Sequence, residues 1–204
     1  MAYSVLPLAR ILDDETITKE EMIKIIEEEK SGLVKDLVVI VRKVDHGGKK
    51  INLDKRIAGP SPYGNTRKYT QKLIEFTLKQ ENLDPNQYEI FLLNCIGASQ
   101  LDEILACNSI GKSYGSAIYL ALLSALHQKS IAKSVASTGV INTSQKNKKG
   151  KINDQEVDLP QGTNLPIAGL KGKSSAAVEK GINRLVLSAY NSSPNFLSQN
   201  MAGE

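Results

Sequence analysis

The sequence predicts an α/β fold in which helices pack on a mixed sheet, and three observations indicate it. Short apolar runs typical of buried strands lie at residues 37–41 and 88–93. Residues 65–80 and 116–127 instead have the length and apolar spacing of helices. Strand-like and helix-like segments then alternate to the end of the chain, a pattern that favours helices crossing one sheet.

The first residues predict a helix ahead of the main domain. Thr18 is followed three residues later by Glu21, which is the pattern of a capping box. The helix is expected over residues 19–30, with an apolar stripe packed on the main body, and Gly32 ends it. We therefore expect a helical N-terminal extension over residues 1–35.

The next segment predicts a hairpin followed by a helix and a strand. Residues 37–41 are expected to turn at 46–49 and return as a second strand at 51–53. A helix over 65–80 is followed by a strand over 88–93. The core face of that helix is expected to comprise Tyr69, Leu73, Ile74, Phe76 and Thr77.

The second half of the chain predicts a polar insert among regular elements. Residues 142–156 are too hydrophilic to be buried, and we expect them to be mobile. The regular elements are a helix at 116–127, strands at 134–141, 164–167 and 184–188, and a helix at 171–180. The main domain is expected to span residues 36–191, with a tail over 192–204.

The charge of the chain does not indicate nucleic-acid binding. The chain has 26 basic and 22 acidic residues, which gives a net charge of +4. The excess lies in the insert at Lys146, Lys148, Lys149 and Lys151, because the remaining residues are balanced. A solvated lysine-rich loop, without interleaved aromatic residues, is not a nucleic-acid footprint.

The sequence shows neither the spacing of a metal-binding site nor a membrane-spanning segment. Cys95 and Cys107 lack the spacing of a metal site and have no nearby histidine, so we expect neither metal nor cofactor. No run approaches the roughly 20 apolar residues of a membrane helix, and no secretory leader is recognisable. We therefore expect a protein of the reducing cytoplasm that does not bind membranes.

Two short segments carry the chemistry. Residues 113–117 place Ser116 at the start of an apolar helix, and residues 165–173 place Lys173 at the start of another. A serine hydroxyl is a weak nucleophile, and a lysine amine is a useful base only when burial lowers its pKa. Together they permit hydrolysis without histidine or metal. The helix start around Gly115, Ser116 and Ala117 offers backbone N–H groups to an oxyanion.

These motifs occur in an order that resembles the proteolytic domain of Lon proteases, over roughly three-quarters of the chain. The matching elements are Tyr114-Gly115-Ser116-Ala117, then Ser137-Thr138-Gly139, then Leu165 to Lys173. The resemblance implies that Ser116 is the nucleophile, Lys173 is the general base, and Thr138 orients the lysine amine. Ser113 stands where the family usually has an acidic residue, and the serine-to-lysine spacing of 57 residues is longer than the family pattern.

The resemblance also implies a function. It indicates an ATP-independent serine endopeptidase with a Ser-Lys dyad, shared with birnavirus polyprotein proteases, that cleaves unfolded or exposed polypeptide segments. The expected partner is a polypeptide substrate, and further copies of the chain or a separate ATPase or regulatory partner remain open. A Lon-like binding or scaffold module without catalysis is an alternative.

A phosphate-binding loop is the other alternative. Residues 106–113 fit its relaxed form, with Lys112 as the phosphate-binding lysine. A helix follows, but no convincing strand precedes the loop, and no downstream acidic strand supplies a magnesium ligand. Ser109 with Lys112 and Ser130 with Lys133 also match the first motif of penicillin-recognising enzymes, but the companion Lys-Thr-Gly element is absent, so coincidence explains them better.

Overall fold

A computed structural model describes most of the chain and shows a mixed α/β fold. The described residues are 2–7, 32–45, 50–53, 66–95, 112–145, 147–152, 155–167 and 170–192. The expected helix at 19–30, the turn at 46–49 and almost all of the tail at 192–204 lie outside them. No helix in the described ranges has the length and apolar character needed to span a bilayer.

The elements follow one another in chain order. The strands are β1 (Ala2–Pro7), β2 (Gly32–Lys43), β3 (Lys50–Leu53), β4 (Tyr88–Cys95), β5 (Val135–Ser137), β6 (Val140–Ile141), β7 (Lys148–Ile152), β8 (Gln155–Leu159), β9 (Asn164–Leu165) and β10 (Arg184–Val186). The helices are α1 (Thr66–Gln80), α2 (Gly115–His127) and α3 (Leu170–Glu179), and short 3-10 turns cover Pro85–Gln87 and Ala189–Ser192.

Six of the strands form one sheet, in the order β10-β5-β1-β2-β4-β3. Strands β1, β2 and β4 pair antiparallel, whereas β1 with β5, β5 with β10 and β3 with β4 pair parallel. Two small antiparallel sheets, β6–β9 and β7–β8, complete the described strands. The expected mixed sheet with packed helices is confirmed at this level.

The first strand lies in the middle of the large sheet. β1 pairs Val5 with Val34 on one side and Ser4 with Ser137 on the other. The expected helical extension over residues 1–35 missed this strand, which belongs to the sheet of the main domain. The sequence Ala-Tyr-Ser-Val-Leu-Pro alternates only weakly in polarity, so its strand character comes from its neighbours in the fold.

The expected hairpin between the second and third strands is wrong. β3 pairs parallel with β4, and the sheet neighbours of β2 are β1 and β4. Two parallel neighbouring strands need a crossover connection, and α1, which lies between β3 and β4 in the chain, provides it. The three elements form a β-α-β unit. Local patterning located both strands but could not identify their partners.

The expected core face of α1 is confirmed. Its five predicted residues are all buried, and all of them except Thr77 pack with the apolar side of α2 and of strands β2 and β4. The buried members of this main cluster are Leu37, Tyr69, Leu73, Ile74, Phe76, Leu78, Ile90, Leu92, Tyr114, Ala117, Ile118, Leu122 and Ile141. The main cluster fixes α2, the helix that carries Ser116, against the sheet.

A second, smaller cluster holds α3. Ala176 and Ala177 of the helix pack with Val34, Ala136 and Ile182. Successive side chains of a strand point to opposite faces, so the residue after Ala136 in β5 points away from α3. The small side chains at the contact let the helix lie close to the sheet.

The polar insert is a hairpin rather than a structureless loop. β7 and β8 pair antiparallel, and Lys149 lies opposite Asp158 with its ammonium 3.0 Å from the carboxylate. The insert also begins on a buried residue, since Asn142 donates its side-chain amide to the carbonyl oxygen of Leu159 at 2.9 Å. Pairing of alternate strand residues satisfies the backbone without an apolar core, which composition alone did not reveal.

Candidate functional site

A break in one expected strand creates the centre of the site. The strand expected at 134–141 is divided into β5 and β6 by Thr138 and Gly139. The carbonyl oxygen of Gly139 accepts a hydrogen bond from the N–H of Ser116 at 3.0 Å, and its N–H donates to the carbonyl of Ser113 at 2.6 Å. These bonds join the break to the start of α2.

The nucleophile candidate lies inside the first turn of α2. Tyr114 occupies the N-cap position and makes no side-chain cap bond, and the helix begins at Gly115. Ser116 is therefore not the cap of the helix, although serine often is. Its side chain is buried, with 3% exposure. A buried serine that does not cap its helix requires another explanation.

Gly115 is required by a close approach of α1. A Cβ built at this position would collide with the hydroxyl of Tyr69. That hydroxyl is fixed, because it accepts from the N–H of Ile141 at 2.9 Å and donates to the Ile141 carbonyl at 3.3 Å. The first turn of α2 is thus held between α1 and β6, and the position of Ser116 follows from it.

Ser137, which the sequence interpretation did not select, contacts the nucleophile candidate directly. Its hydroxyl donates a hydrogen bond to Ser116 Oγ over 2.8 Å. Ser137 is 2% exposed and ends β5 on the face opposite Ala136. The alternation of β5 was the available signal, because Ala136 packs under α3 and the next residue must point to the other face.

Thr138 does not have its expected partner. Its hydroxyl donates to the carbonyl of Ser113 at 3.2 Å, and within the described residues it makes no bond to the amine of Lys173. Its N–H donates to the Val186 carbonyl at 3.1 Å. In this structure the hydroxyl of Thr138 holds the segment that precedes α2, and its expected role in orienting the lysine stays a prediction.

Lys173 is the buried cation candidate of the site. It lies in the first turn of α3 and is 2% exposed. Burial lowers the pKa of Lys173 to about 7. No carboxylate or hydrogen-bond partner accompanies its ammonium among the residues that the structure describes. An unpaired lysine in this setting is largely neutral just above pH 7 and can accept a proton.

The topology brings both residues to one end of the sheet. α2 leads into β5 and α3 leads into β10, and these two strands are parallel neighbours. Each helix runs back across the sheet to reach the beginning of its strand. Both helices therefore start near the carboxyl ends of β5 and β10. The starts of α2 and α3 carry Ser116 and Lys173.

Two further connections join the segments around the candidates. β6, which follows Gly139, pairs Val140 with Leu165 of β9, the strand that leads towards α3. The buried side chain of Asn191 donates to the Ile167 carbonyl at 2.8 Å and accepts from the Ile167 N–H at 3.3 Å. The loop before Lys173 is thereby tied to the segment after β10. Ser116 Oγ and Lys173 Nζ share no direct hydrogen bond in this structure.

No protein-family model matches the chain, and no curated protein matches it.

The expected oxyanion donors are only partly available. The N–H of Gly115 donates to the Lys112 carbonyl at 2.9 Å, and the N–H of Ser116 donates to the Gly139 carbonyl. Of the three expected donors, Ala117 alone has an N–H without a partner among the described residues. The helix start thus presents one open donor next to the Ser116 side chain in this conformation.

The residues of the phosphate-loop alternative are placed only in part. Residues 106–111 lie outside the described ranges, and the ammonium of Lys112 is 5.9 Å from the centre of the Tyr69 ring, in cation–π range. Ser130 and Lys133 are exposed in the loop before β5. Within the described residues there is no cluster of three or more His, Cys, Asp or Glu side chains suited to a metal ion.

Proposed function

We propose that the chain is a serine endopeptidase of the Lon-like type, with Ser116 as nucleophile and Lys173 as general base. The observation that carries the proposal is a buried lysine whose pKa is about 7 and which has no partner among the described residues, at the same end of the sheet as a buried serine. Perturbed titratable groups of this kind are typical of catalytic sites. The order of the motifs supports a Lon-like arrangement of the fold.

The proton transfers follow from the two side chains. Neutral Lys173 accepts the proton of Ser116 while Ser116 Oγ bonds to the peptide carbonyl carbon and the carbonyl becomes an oxyanion. The charged lysine then protonates the departing amine, and water hydrolyses the acyl-enzyme by the reverse of the same transfers. A free lysine has a pKa near 10.4, so each unit by which burial lowers it makes about ten times more amine available at neutral pH.

The oxyanion is received at the start of α2. The N–H of Ala117 is the open donor, and the helix dipole adds to its effect. For Gly115 or Ser116 to contribute, substrate must displace the carbonyl of Lys112 or Gly139 from its N–H. One such donor contributes on the order of 10²-fold to the rate in serine hydrolases.

Polypeptide is the substrate class that the sheet favours. β10 is an outer strand of the large sheet next to β5, and no described strand pairs with its other side. An extended segment can add to such an edge by main-chain hydrogen bonds. A stable domain is unfolded only about 10⁻³ to 10⁻⁶ of the time, so flexible segments are the accessible substrates, without ATP. A cytoplasmic setting, and either further copies of the chain or a separate ATPase as partner, belong to the same proposal.

Labelling with a fluorophosphonate probe, followed by mass mapping, tests the nucleophile. The wild-type chain should be labelled at Ser116 and should cleave casein slowly with or without ATP and in EDTA. Ser116→Ala and Lys173→Ala should abolish both reactions while the fold survives. Ser124→Ala, which removes a hydroxyl from the far end of the same helix, is the control. Residual cleavage by Ser116→Ala above a few per cent of wild type contradicts the assignment.

A catalytically silent Lon-like binding module is the second candidate. It is favoured by the occupied N–H groups of Gly115 and Ser116, which leave Ala117 as the one expected donor without a partner among the described residues. If the probe does not label Ser116 in the wild-type chain, and a folded chain binds but does not cleave casein, the silent module is the better description. Labelling at Ser116 with turnover excludes it.

A further inference from the structure

Two buried serines meet at the carboxyl end of β5. Ser116 and Ser137 are 3% and 2% exposed, and their hydroxyl oxygens are 2.8 Å apart. They come from different elements, since one is in a helix and the other ends a strand. Hydroxyl pairs at this distance are at the optimum for an O–H···O bond. This hydrogen bond neither caps a helix nor belongs to the backbone pairing of the sheet.

The hydrogen bond between the two serines has a donor and an acceptor. Ser137 is the donor and Ser116 Oγ is the acceptor, and the other acceptor near Ser137, the carbonyl of Val186, is 3.5 Å away. The main partner of Ser137 is therefore the nucleophile candidate. The proton of the Ser116 hydroxyl has no acceptor among the described residues, so it is free to go to a base.

We propose that Ser137 is a third catalytic residue, which orients Ser116 Oγ and stabilises the negative charge that develops there during attack. The proposal rests on the Ser-Lys function proposed above. Ser137 keeps its own proton throughout: the proton of Ser116 goes to Lys173, and the new bond forms from a lone pair of Ser116 Oγ. The hydrogen bond from Ser137 strengthens as charge accumulates on that oxygen, because bonds to ionised acceptors are roughly twice as strong as neutral ones.

The geometry favours Ser137 over its neighbour for this role. The hydroxyl of Thr138 is already bonded to the Ser113 carbonyl, on the backbone before α2. Adjacent residues of an extended segment point to opposite sides, so only one of the two hydroxyls can reach Ser116. Ser137 is also anchored in register, since it pairs with Ser4 in β1 and with Val186 in β10. Its hydroxyl is thus held by a strand that has neighbours on both sides.

The test compares the rate of fluorophosphonate labelling at Ser116 in four purified chains. They are the wild type, Ser137→Ala, Ser137→Thr and the Ser124→Ala control. In the reaction the Ser116 oxygen bonds to phosphorus, fluoride leaves, and Lys173 takes the proton. For each chain the experiment measures the labelling rate constant as a function of probe concentration, between pH 6 and 9. It also measures the final labelled fraction and the melting temperature.

We expect Ser137→Ala to lower the maximal labelling rate about 10- to 100-fold, the loss of one hydrogen bond to a charged acceptor. The final labelled fraction, the probe concentration at half-maximal rate and the pH midpoint should not change. Ser137→Thr should return the rate to within a few-fold of wild type, because it restores the hydroxyl and suits a strand. Ser124→Ala should behave as wild type.

Three results overturn the inference while leaving the Ser-Lys function intact. The first is that folded Ser137→Ala is labelled at the wild-type rate. The second is that the labelling rate of Ser137→Ala falls only as much as its final labelled fraction falls. The third is that folded Ser137→Thr is labelled as slowly as the alanine variant. If Ser137→Ala does not fold, Ser137→Cys replaces it, as a weaker donor of similar shape. A wild-type rate there has the same meaning. Failure to label Ser116 in the wild type instead removes both proposals.

Discussion

Replacing Lys173 by methionine should stabilise the protein, and should do so in a way that depends on pH. In the folded chain burial holds the pKa of Lys173 at about 7, against an ordinary value of 10.5. Between these values the unfolded chain binds a proton that the folded chain does not. The contribution of Lys173 to the free energy of unfolding therefore increases as the pH rises from about 7 to 10.5. Below pH 7 this contribution is constant and has its lowest value. Methionine has a similar length and no charge to desolvate.

The expected magnitude comes from the same two values. Each pH unit in the window changes the free energy of unfolding by about 1.4 kcal/mol. Over the whole window, the penalty for keeping Lys173 in the fold reaches on the order of 5 kcal/mol below pH 7. Lys173→Met should accordingly be several kcal/mol more stable than wild type at pH 6 to 7. The difference should shrink by about 1.4 kcal/mol per unit as the pH rises towards 10.

Urea denaturation followed by circular dichroism at pH 6, 7, 8, 9 and 10 measures this directly. Lys180→Met is the matched control, since Lys180 is an exposed lysine just after α3. Its effect should be within about 0.5 kcal/mol of zero. A Lys173→Met chain that is less stable than wild type at pH 6, or a gain that does not vary with pH, would refute the reasoning. The first result would indicate that Lys173 is a structural ion-pair partner, and the second that its pKa is not lowered in the folded chain.

The remaining predictions concern activity, packing and nucleotides. The rate of peptide hydrolysis should increase with pH and reach half of its maximum near pH 7, because Lys173 is charged and inactive below its pKa. A kcat/KM that does not depend on pH would contradict the assignment of Lys173 as the base. Gly115→Ala should lower the free energy of unfolding, measured by urea denaturation, by about 1 to 3 kcal/mol, because the new methyl displaces the Tyr69 hydroxyl from Ile141. If the collision is the cause, the same substitution should be less destabilising in a chain that also carries Tyr69→Phe. ATP should not raise the melting temperature of wild type or Lys112→Ala, and a shift lost only in the variant would favour the phosphate-loop alternative.

The parts of the fold that depend on local pattern could be read from the sequence. α1 and α2 begin within one residue of their expected starts, and the five predicted core residues of α1 are buried. A helical stripe faces whatever core is present, so its burial does not depend on which strand lies beneath it. The same reasoning located β4, a short apolar run between turn residues.

The parts that depend on distant partners could not be read in this way. β1 has neighbours about 30 and about 130 residues further along the chain, and β3 takes β4 rather than β2 as its partner. At the site the sequence drew attention to Thr138, whereas the structure brings Ser137 to Ser116. Which of two adjacent hydroxyls faces α2 is decided by the register of β5 in the sheet. That register is a long-range property.

The central position of β1 has a consequence for the order in which the chain can fold during synthesis. β2 emerges soon after β1 and can pair with it at once, but β5, the neighbour on the other side, is made about 130 residues later. At roughly 5 to 20 residues per second, the ribosome needs on the order of 10 seconds to supply it. Throughout that interval β1 presents an open edge of the kind that recruits other chains. The edge of β1 therefore stays open to aggregation until β5 pairs with it, and the same step brings Ser137 to Ser116.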